Sequence, residues 1–114
     1  MPYITTKTNQ TITKEQETEL KELFGNAISL LPGKSEAHLM LNFEDNCRMY
    51  MAGKNDFPIV YIEVSLFKKS TAEGYAALTK QLCEDVSRVL NIGEGCTYVK
   101  YEEIENWGMN GFNF

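Results

Sequence analysis

The chain lacks the features that mark several large protein classes. No apolar run reaches the roughly 18 residues of a membrane-spanning helix, and no basic-then-apolar leader opens it. Its 11 basic and 16 acidic side chains give a net charge of −5, with no block of lysine and arginine. Nucleic acid and anionic membranes both need a basic footprint on the protein. We therefore expect a soluble, cytoplasmic protein with neither nucleic acid nor membrane as a partner.

Cysteine and histidine are scarce as well. Cys47, Cys83 and Cys96 are far apart and form no Cys-x-x-Cys pair and no metal-ligand spacing. We interpret them as buried reduced thiols. His38 is the single histidine and has no obvious carboxylate partner at ligand spacing, so the sequence argues against a metal site or a general base there. The glycines match no phosphate-binding loop, and we expect no cofactor.

The first feature with chemical potential is Pro2, directly ahead of a predicted strand. Removal of Met1 would leave a secondary amine, whereas every other backbone nitrogen is an amide and cannot act as a base. A free α-amino group titrates near ~7.7–8.0, and an apolar pocket or a neighbouring cation lowers this value. A base with a pKa near the working pH suits proton transfer. Taken alone, such a proline more often means only a rigid, protease-resistant terminus.

An internal repeat indicates the architecture of the chain. We expect one domain, 1–114, with pseudo-repeats at about 2–52 and 59–103 and a C-terminal ribbon at 105–114. Each half predicts a strand, a helix and a strand. The matched residues are Tyr3 with Tyr61, Ile4 with Ile62, Thr13 with Thr71, Leu20 with Leu78, Phe24 with Leu82, and Ile28 with Val86.

Capping boxes and apolar periodicity place the elements of each half. Thr13 to Gln16 and Ser70 to Glu73 each predict a helix start, and apolar residues follow at helical spacing. Pro32-Gly33 predicts the end of the first helix. Strands are predicted at 3–7, 37–43, 59–66 and 96–102, with a hairpin partner for the second strand around 48–52.

Two β-α-β units of this size predict an α+β fold: a four-stranded mixed sheet with both helices on one face. The other face of the sheet is then bare, and in so short a chain we expect another subunit to cover it. We also expect the C-terminal ribbon to pair with a neighbour. Five tyrosines are candidates for the bare face or its edges: Tyr3, Tyr50, Tyr61, Tyr98 and Tyr101.

At this point the chain resembles a known family along essentially its whole length. It is similar to the macrophage migration inhibitory factor family of the tautomerase superfamily. The resemblance implies a homotrimer whose sheets line a central channel, with active sites at the subunit interfaces. It also implies keto–enol tautomerisation of α-keto acids such as phenylpyruvate, with the N-terminal proline shuttling the proton. The residues that carry it are Pro2 before a strand, Pro32-Gly33-Lys34, Val64-Ser65-Leu66, Tyr98 and Asn106-Trp107-Gly108.

The resemblance assigns roles to five residues, all conditional on the loss of Met1. Pro2 would be the catalytic acid/base. Lys34 would bind the substrate carboxylate and help keep the proline amine neutral. Leu66 would supply apolar wall and a backbone amide, and Tyr98 would come from a neighbouring subunit. Lys100 replaces an asparagine of the vertebrate protein and could add a second cation.

Two other functions stay open at this stage. One is a cytokine-like protein, released without a signal peptide, that binds a receptor and keeps residual tautomerase activity. The Cys-x-x-Cys motif of the vertebrate cytokine is absent, because 57–61 reads Phe-Pro-Ile-Val-Tyr, so thiol-oxidoreductase activity is not implied. The other is a hydratase or decarboxylase of the superfamily. It is less favoured, because those enzymes tend to use arginines at the site and this chain has only Arg48 and Arg88.

Overall fold

The computed structural model describes every residue from Met1 to Phe114. Its helices and strands alternate in the order that the repeat predicts. Neither helix combines the length and apolar character needed to cross a membrane. The elements are β1 Pro2–Thr8, α1 Lys14–Ala27, β2 Met40–Glu44, β3 Val60–Phe67, α2 Ala72–Leu90, β4 Thr97–Ile104, β5 Gly108–Met109 and β6 Phe112–Asn113.

Four strands form one mixed sheet in the order β2-β1-β3-β4. The outer strands run parallel to their neighbours, whereas the two central strands, β1 and β3, are antiparallel. In the central pair Pro2 lies opposite Leu66, and Thr8 lies opposite Val60. The first residue of β1 therefore lies beside the end of β3, and the first residue of β3 lies beside the end of β1.

The two helices pack on one face of this sheet, as predicted. Alternate residues of β3 are buried from Val60 to Leu66, and the residues between them lie on the other face. Leu20 and Phe24 of α1 and Leu78 and Leu82 of α2 are fully buried against them. Burial of this apolar surface is the main term that stabilises the pair of β-α-β units.

The capping of α1 is confirmed, but that of α2 differs from the prediction. The Thr13 hydroxyl accepts from the Gln16 amide at 3.2 Å, while the Gln16 side chain accepts from the Thr13 amide at 2.9 Å. At α2 the cap is Thr71, which accepts from the Gly74 amide at 2.9 Å. The predicted second capping box is wrong because glycine, at the third helical position, has no side chain to reach back.

Two predicted strands also differ. β2 begins at Met40 rather than 37, because Glu36–His38 forms a 3-10 turn. The hairpin partner predicted at 48–52 is wrong. That segment makes only a tight turn, in which Met51 bridges Lys54 with Ala52 and Gly53 at positive φ between them.

The tyrosines divide between the two faces of the sheet. Tyr101 is not on the bare face: its hydroxyl lies 2.8 Å from that of Thr79 on α2. Tyr3, Tyr61 and Tyr98 lie at positions of the sheet that alternate with the buried ones. The C-terminal ribbon is present as a hairpin within the chain, in which β5 pairs with β6.

Candidate active site

The chain terminus is built into the sheet. Pro2 is buried at the start of the central strand β1, a position where a missing N–H costs no ladder hydrogen bond. The carbonyl oxygen of Met1 accepts from the Phe67 amide at 3.3 Å, so the pairing of β1 with β3 continues past Pro2. The backbone on both sides of the Met1–Pro2 bond is therefore held in place.

A cavity of about 370 Å³ opens at this end of the sheet. Its walls come from β1, from the segment that enters β2, and from the C-terminal hairpin. None of its lining residues is acidic, although the whole chain carries a net charge of −5. The lining residues are Met1, Pro2, Tyr3, His38, Met40, Trp107, Gly108 and Met109.

Lys34 lies beside the terminal amine. Gly33 precedes it with φ of +79°, a left-handed conformation that glycine adopts without strain, and the Lys34 amide donates to Leu31 O at 3.0 Å. Burial of the Met1 amine lowers its pKa from the usual value of 8.0, and the charge of Lys34 and a hydrogen bond with Lys34 lower it further. The turn after α1 thus places a fixed cation next to the chain's one basic backbone nitrogen.

Leu66 is next to Pro2 in the sheet, but its side chain is fully buried in the core. It does not line the cavity within the chain. Its contribution here is to hold the register of the two central strands.

Tyr98 lies at the far end of the sheet. It pairs with Tyr61, five residues from Leu66 along β3, which corresponds to roughly 17 Å at ~3.4 Å per residue. Its side chain is 62% exposed. Tyr98 therefore cannot reach the cavity at Pro2 in the same chain.

Lys100 is occupied by ion pairs on the bare face of the sheet. Its ammonium lies 3.1 Å from Glu63 and 3.0 Å from Glu102. Hydrogen bonds with these two carboxylates, Glu102 first, raise the pKa of Lys100 above its ordinary value. Of the five predicted site residues, Pro2 lines the cavity, Lys34 lies beside the amine of the preceding Met1, Leu66 is buried behind Pro2, and Tyr98 and Lys100 lie elsewhere.

Of the eight lining residues only Pro2 was among the predicted site residues. The other seven are Met1, Tyr3, His38, Met40, Trp107, Gly108 and Met109. Met40 is paired with Tyr3 in the parallel register of β1 and β2, and His38 lies just before it at the end of the 3-10 turn that enters β2. The sequence analysis placed His38 in the strand predicted at 37–43. Only the pairing of β1 with β2 shows that this strand starts beside the chain terminus. The tail residues depend on how the C-terminal hairpin folds back over the terminus.

Comparison with known proteins finds solved structures of the same fold. No family model matches the chain, and no curated protein sequence matches it. Solved structures do match along almost the whole length, at identities that establish the fold alone. Leishmania major MIF2 is 22% identical with a TM-score of 0.92, covering 100% of this chain and 97% of that one.

Two further solved structures of this fold concern an inactivated protein and a trimer. Pt0534, described as inactivated by 2-oxo-3-pentynoate, is 23% identical with a TM-score of 0.82, covering 96% of this chain and 93% of that one. A fused 4-OT, described as an asymmetric trimer, is 19% identical with a TM-score of 0.84, covering 97% and 94%. The resemblance inferred from the sequence is confirmed at the level of the fold: a duplicated β-α-β chain of the macrophage migration inhibitory factor type.

Proposed function

We propose that this protein is a keto–enol tautomerase of α-keto acids of the phenylpyruvate type. Its acid/base is the secondary amine of Pro2, generated by removal of Met1. The observation that carries the proposal is the terminus of β1. There the terminal amine, which is that of Met1 in the structure, has a pKa lowered by burial and by the neighbouring Lys34, and Met1 and Pro2 both line the cavity.

The proposed reaction needs only a base that can hold a proton and return it. The neutral Pro2 nitrogen takes a proton from C3 of the keto acid, the C3–H bond breaks, and the C2–C3 double bond forms as the C2 oxygen gains negative charge. That oxygen is protonated to give the enol, and the protonated amine is reset by exchange with water. In the reverse direction the Pro2 ammonium delivers the proton to C3. A neutral amine near pH 7 is the state that this mechanism requires.

The lining of the cavity suits such a substrate. Lys34, which lies beside the terminal amine rather than in the lining itself, would supply the cation for the carboxylate, and no acidic residue of the lining opposes it. The indole N–H of Trp107 and the imidazole of His38 are hydrogen-bond donors for the C2 oxygen. Met40 and Met109 provide apolar contact for an aromatic side chain.

The proposal includes a homotrimer with active sites at the subunit interfaces. It is supported by the position of Tyr98, which is exposed and too distant to act in its own chain. It is also supported by the fold shared with a protein described as an asymmetric trimer. A neighbouring subunit could bring its Tyr98 to the open side of the cavity at Pro2.

The test uses 2-oxo-3-pentynoate, the compound that inactivates a protein of this fold. Protein whose intact mass proves the loss of Met1 is treated with this reagent, and phenylpyruvate tautomerisation and the mass of the N-terminal peptide are followed. We expect loss of activity together with a single adduct on Pro2. Protein that retains Met1 is the matched control and should show neither activity nor a Pro2 adduct. A chain with free Pro2 that neither tautomerises phenylpyruvate nor reacts would refute the proposal.

A further inference from the structure

A second cavity, of about 430 Å³, lies at the opposite end of the central strands. Every residue that lines it is hydrophobic, and no charged side chain is among them. The lining residues are Met49, Tyr50, Met51, Ile59, Val60, Tyr61, Cys96 and Tyr98. We call it the Val60 cavity, and the one at the chain terminus the Pro2 cavity.

The two cavities are lined by residues at corresponding positions of the internal repeat. The spacing that separates Tyr3 from Tyr61 in the internal repeat pairs each residue of one lining with a residue of the other. The pairs are Met1 with Ile59, Pro2 with Val60, Tyr3 with Tyr61, His38 with Cys96, Met40 with Tyr98, Trp107 with Met49, Gly108 with Tyr50 and Met109 with Met51.

The turns beside the linings correspond too. Met51 bridges Lys54 across Ala52 and Gly53, which have φ of +54° and +75°. Met109 pairs with Phe112 across Asn110 and Gly111, which have φ of +52° and +83°. The shape of the Val60 cavity is therefore set by the same backbone geometry as that of the Pro2 cavity.

The groups that would handle charge are among those that differ. The pair spacing places Val60 where Pro2 stands, Ile92 where Lys34 stands and Cys96 where His38 stands. The nitrogen of Val60 is an amide within the chain, and Ile92 is buried in the core. Ile92 carries no charge where Lys34 does, so a carboxylate would lose that partner at the Val60 cavity, whereas an apolar ring would meet a wall of hydrophobic side chains.

Methionine side chains line both cavities. All five methionines of the chain line one or the other: Met1, Met40 and Met109 the first, Met49 and Met51 the second. The fully buried core, in contrast, contains none. Flexible, polarisable thioethers suit surfaces that adapt to a ligand. A volume of about 430 Å³ lined by apolar and tyrosine side chains is in the range of small-molecule sites.

We propose that the Val60 cavity is a second ligand-binding site, without catalytic function, that takes small uncharged aromatic compounds. Such a ligand would pack its ring against Met49, Met51 and Val60 and could hydrogen-bond a tyrosine hydroxyl at the rim. The site would discriminate by charge: the Pro2 cavity takes the anion, and the Val60 cavity takes its neutral counterpart. The binding site itself is inferred from the lining of the cavity, whereas the discrimination by charge rests on the proposed function; Tyr98 would lie between the Val60 cavity of its own chain and the Pro2 cavity of a neighbouring subunit.

The methionines allow a direct test. Protein labelled with ¹³C at the methionine methyl groups is titrated with phenylacetone, which is phenylpyruvate without its carboxylate, and separately with phenylpyruvate; each signal is assigned from a Met→Leu variant. We expect phenylacetone to give saturable shifts at Met49 and Met51. Absence of those shifts in the native assembly would overturn the proposal, including the case in which a neighbouring subunit fills the cavity.

Two matched variants locate the binding. Cys96→Phe fills the Val60 cavity, and His38→Phe places the same ring at the corresponding position of the Pro2 cavity. We expect Cys96→Phe to weaken the phenylacetone response of Met49 and Met51 at least about tenfold, and His38→Phe to leave it unchanged. If His38→Phe instead removed that response, the ligand would be bound in the Pro2 cavity and the proposal would be wrong. Should Cys96→Phe fail to fold, Cys96→Leu takes its place.

Discussion

The Pro2 cavity and the Val60 cavity share a backbone and differ in chemistry. Each lies where a central strand begins, beside a strand in parallel register and a turn with two residues at positive φ. One has a chain terminus, a nearby lysine and an imidazole, and the other has an amide, an isoleucine and a thiol. The comparison shows that the fold supplies a walled space twice, and that the function we propose for the first depends on three local substitutions and one free nitrogen.

The largest effect is expected from giving the start of β1, at Pro2, the amide nitrogen that the start of β3 has at Val60. A protease-cleavable extension ahead of Pro2 turns its nitrogen into an amide, as at Val60. We predict that phenylpyruvate tautomerisation falls by about 10²–10⁴-fold, the range that a general acid/base contributes. Cleavage that leaves Pro2 as the first residue should restore it in the same sample. Equal rates before and after cleavage would contradict a role for the amine.

The next effect concerns Lys34, whose counterpart is Ile92. Lys34→Met removes the charge and keeps most of the length of the side chain. Lys34 lowers the pKa of the Met1 amine, and we expect it to act in the same way on the Pro2 amine one residue further along the chain. Its loss should then raise the pKa of the Pro2 amine, and the acid limb of the kcat/KM profile should move to higher pH. KM for phenylpyruvate should rise by about tenfold or more because the carboxylate loses its partner. Lys14→Met, at an exposed position on α1, is the control and should leave both quantities unchanged.

A smaller effect is expected at the third difference, His38 against Cys96. His38→Gln keeps a hydrogen-bond donor, whereas His38→Cys installs the counterpart residue, a weak donor. We predict that kcat drops by about tenfold in His38→Cys and less in His38→Gln, with adduct formation by 2-oxo-3-pentynoate retained in both. An unchanged kcat in both variants would contradict a role for His38 as a hydrogen-bond donor to the substrate.

Much of the arrangement of helices and strands could be predicted from the sequence, because apolar spacing and helix caps are local features. Repeated apolar spacing gave the two helices, and Thr13 with Gln16 gave the start of α1. Contacts between distant segments were not readable. His38 enters the site through the parallel register of β1 and β2, and Tyr101 turns inward because α2 offers the Thr79 hydroxyl. The turn at Met51 resembles a strand in its apolar residues, yet Ala52 and Gly53 at positive φ reverse the chain too soon for one.

The smallest effect is expected in the helices, which support both cavities. Asp85 of α2 is 1% exposed, and its Oδ2 atom has no hydrogen-bond partner, while Gln81 donates to Oδ1 at 2.9 Å. Burial raises the pKa of Asp85 above 3.8, so the stability it contributes is complete below that value and is lost as the pH rises through the folded-state pKa.

Asp85→Asn should therefore be more stable than the parent at neutral pH, by about 1 kcal/mol or a few degrees in Tm. The advantage should shrink as the pH is lowered towards 4. Glu22→Gln, at an exposed position on α1, should show no such pattern in thermal unfolding. Both cavities should keep their ligand responses, and a change in either would mean that the helix pair and the cavities are coupled.

The methionines make both cavities sensitive to oxidation. Met40 is 67% exposed and Met109 is 45% exposed, whereas the fully buried core has no thioether to oxidise. Peroxide would convert these side chains to sulfoxides, which are polar and chiral, and methionine sulfoxide reductases reverse the change. Mild oxidation would therefore alter what both cavities bind while the sheet and helices stay folded, and enzymatic reduction would restore them.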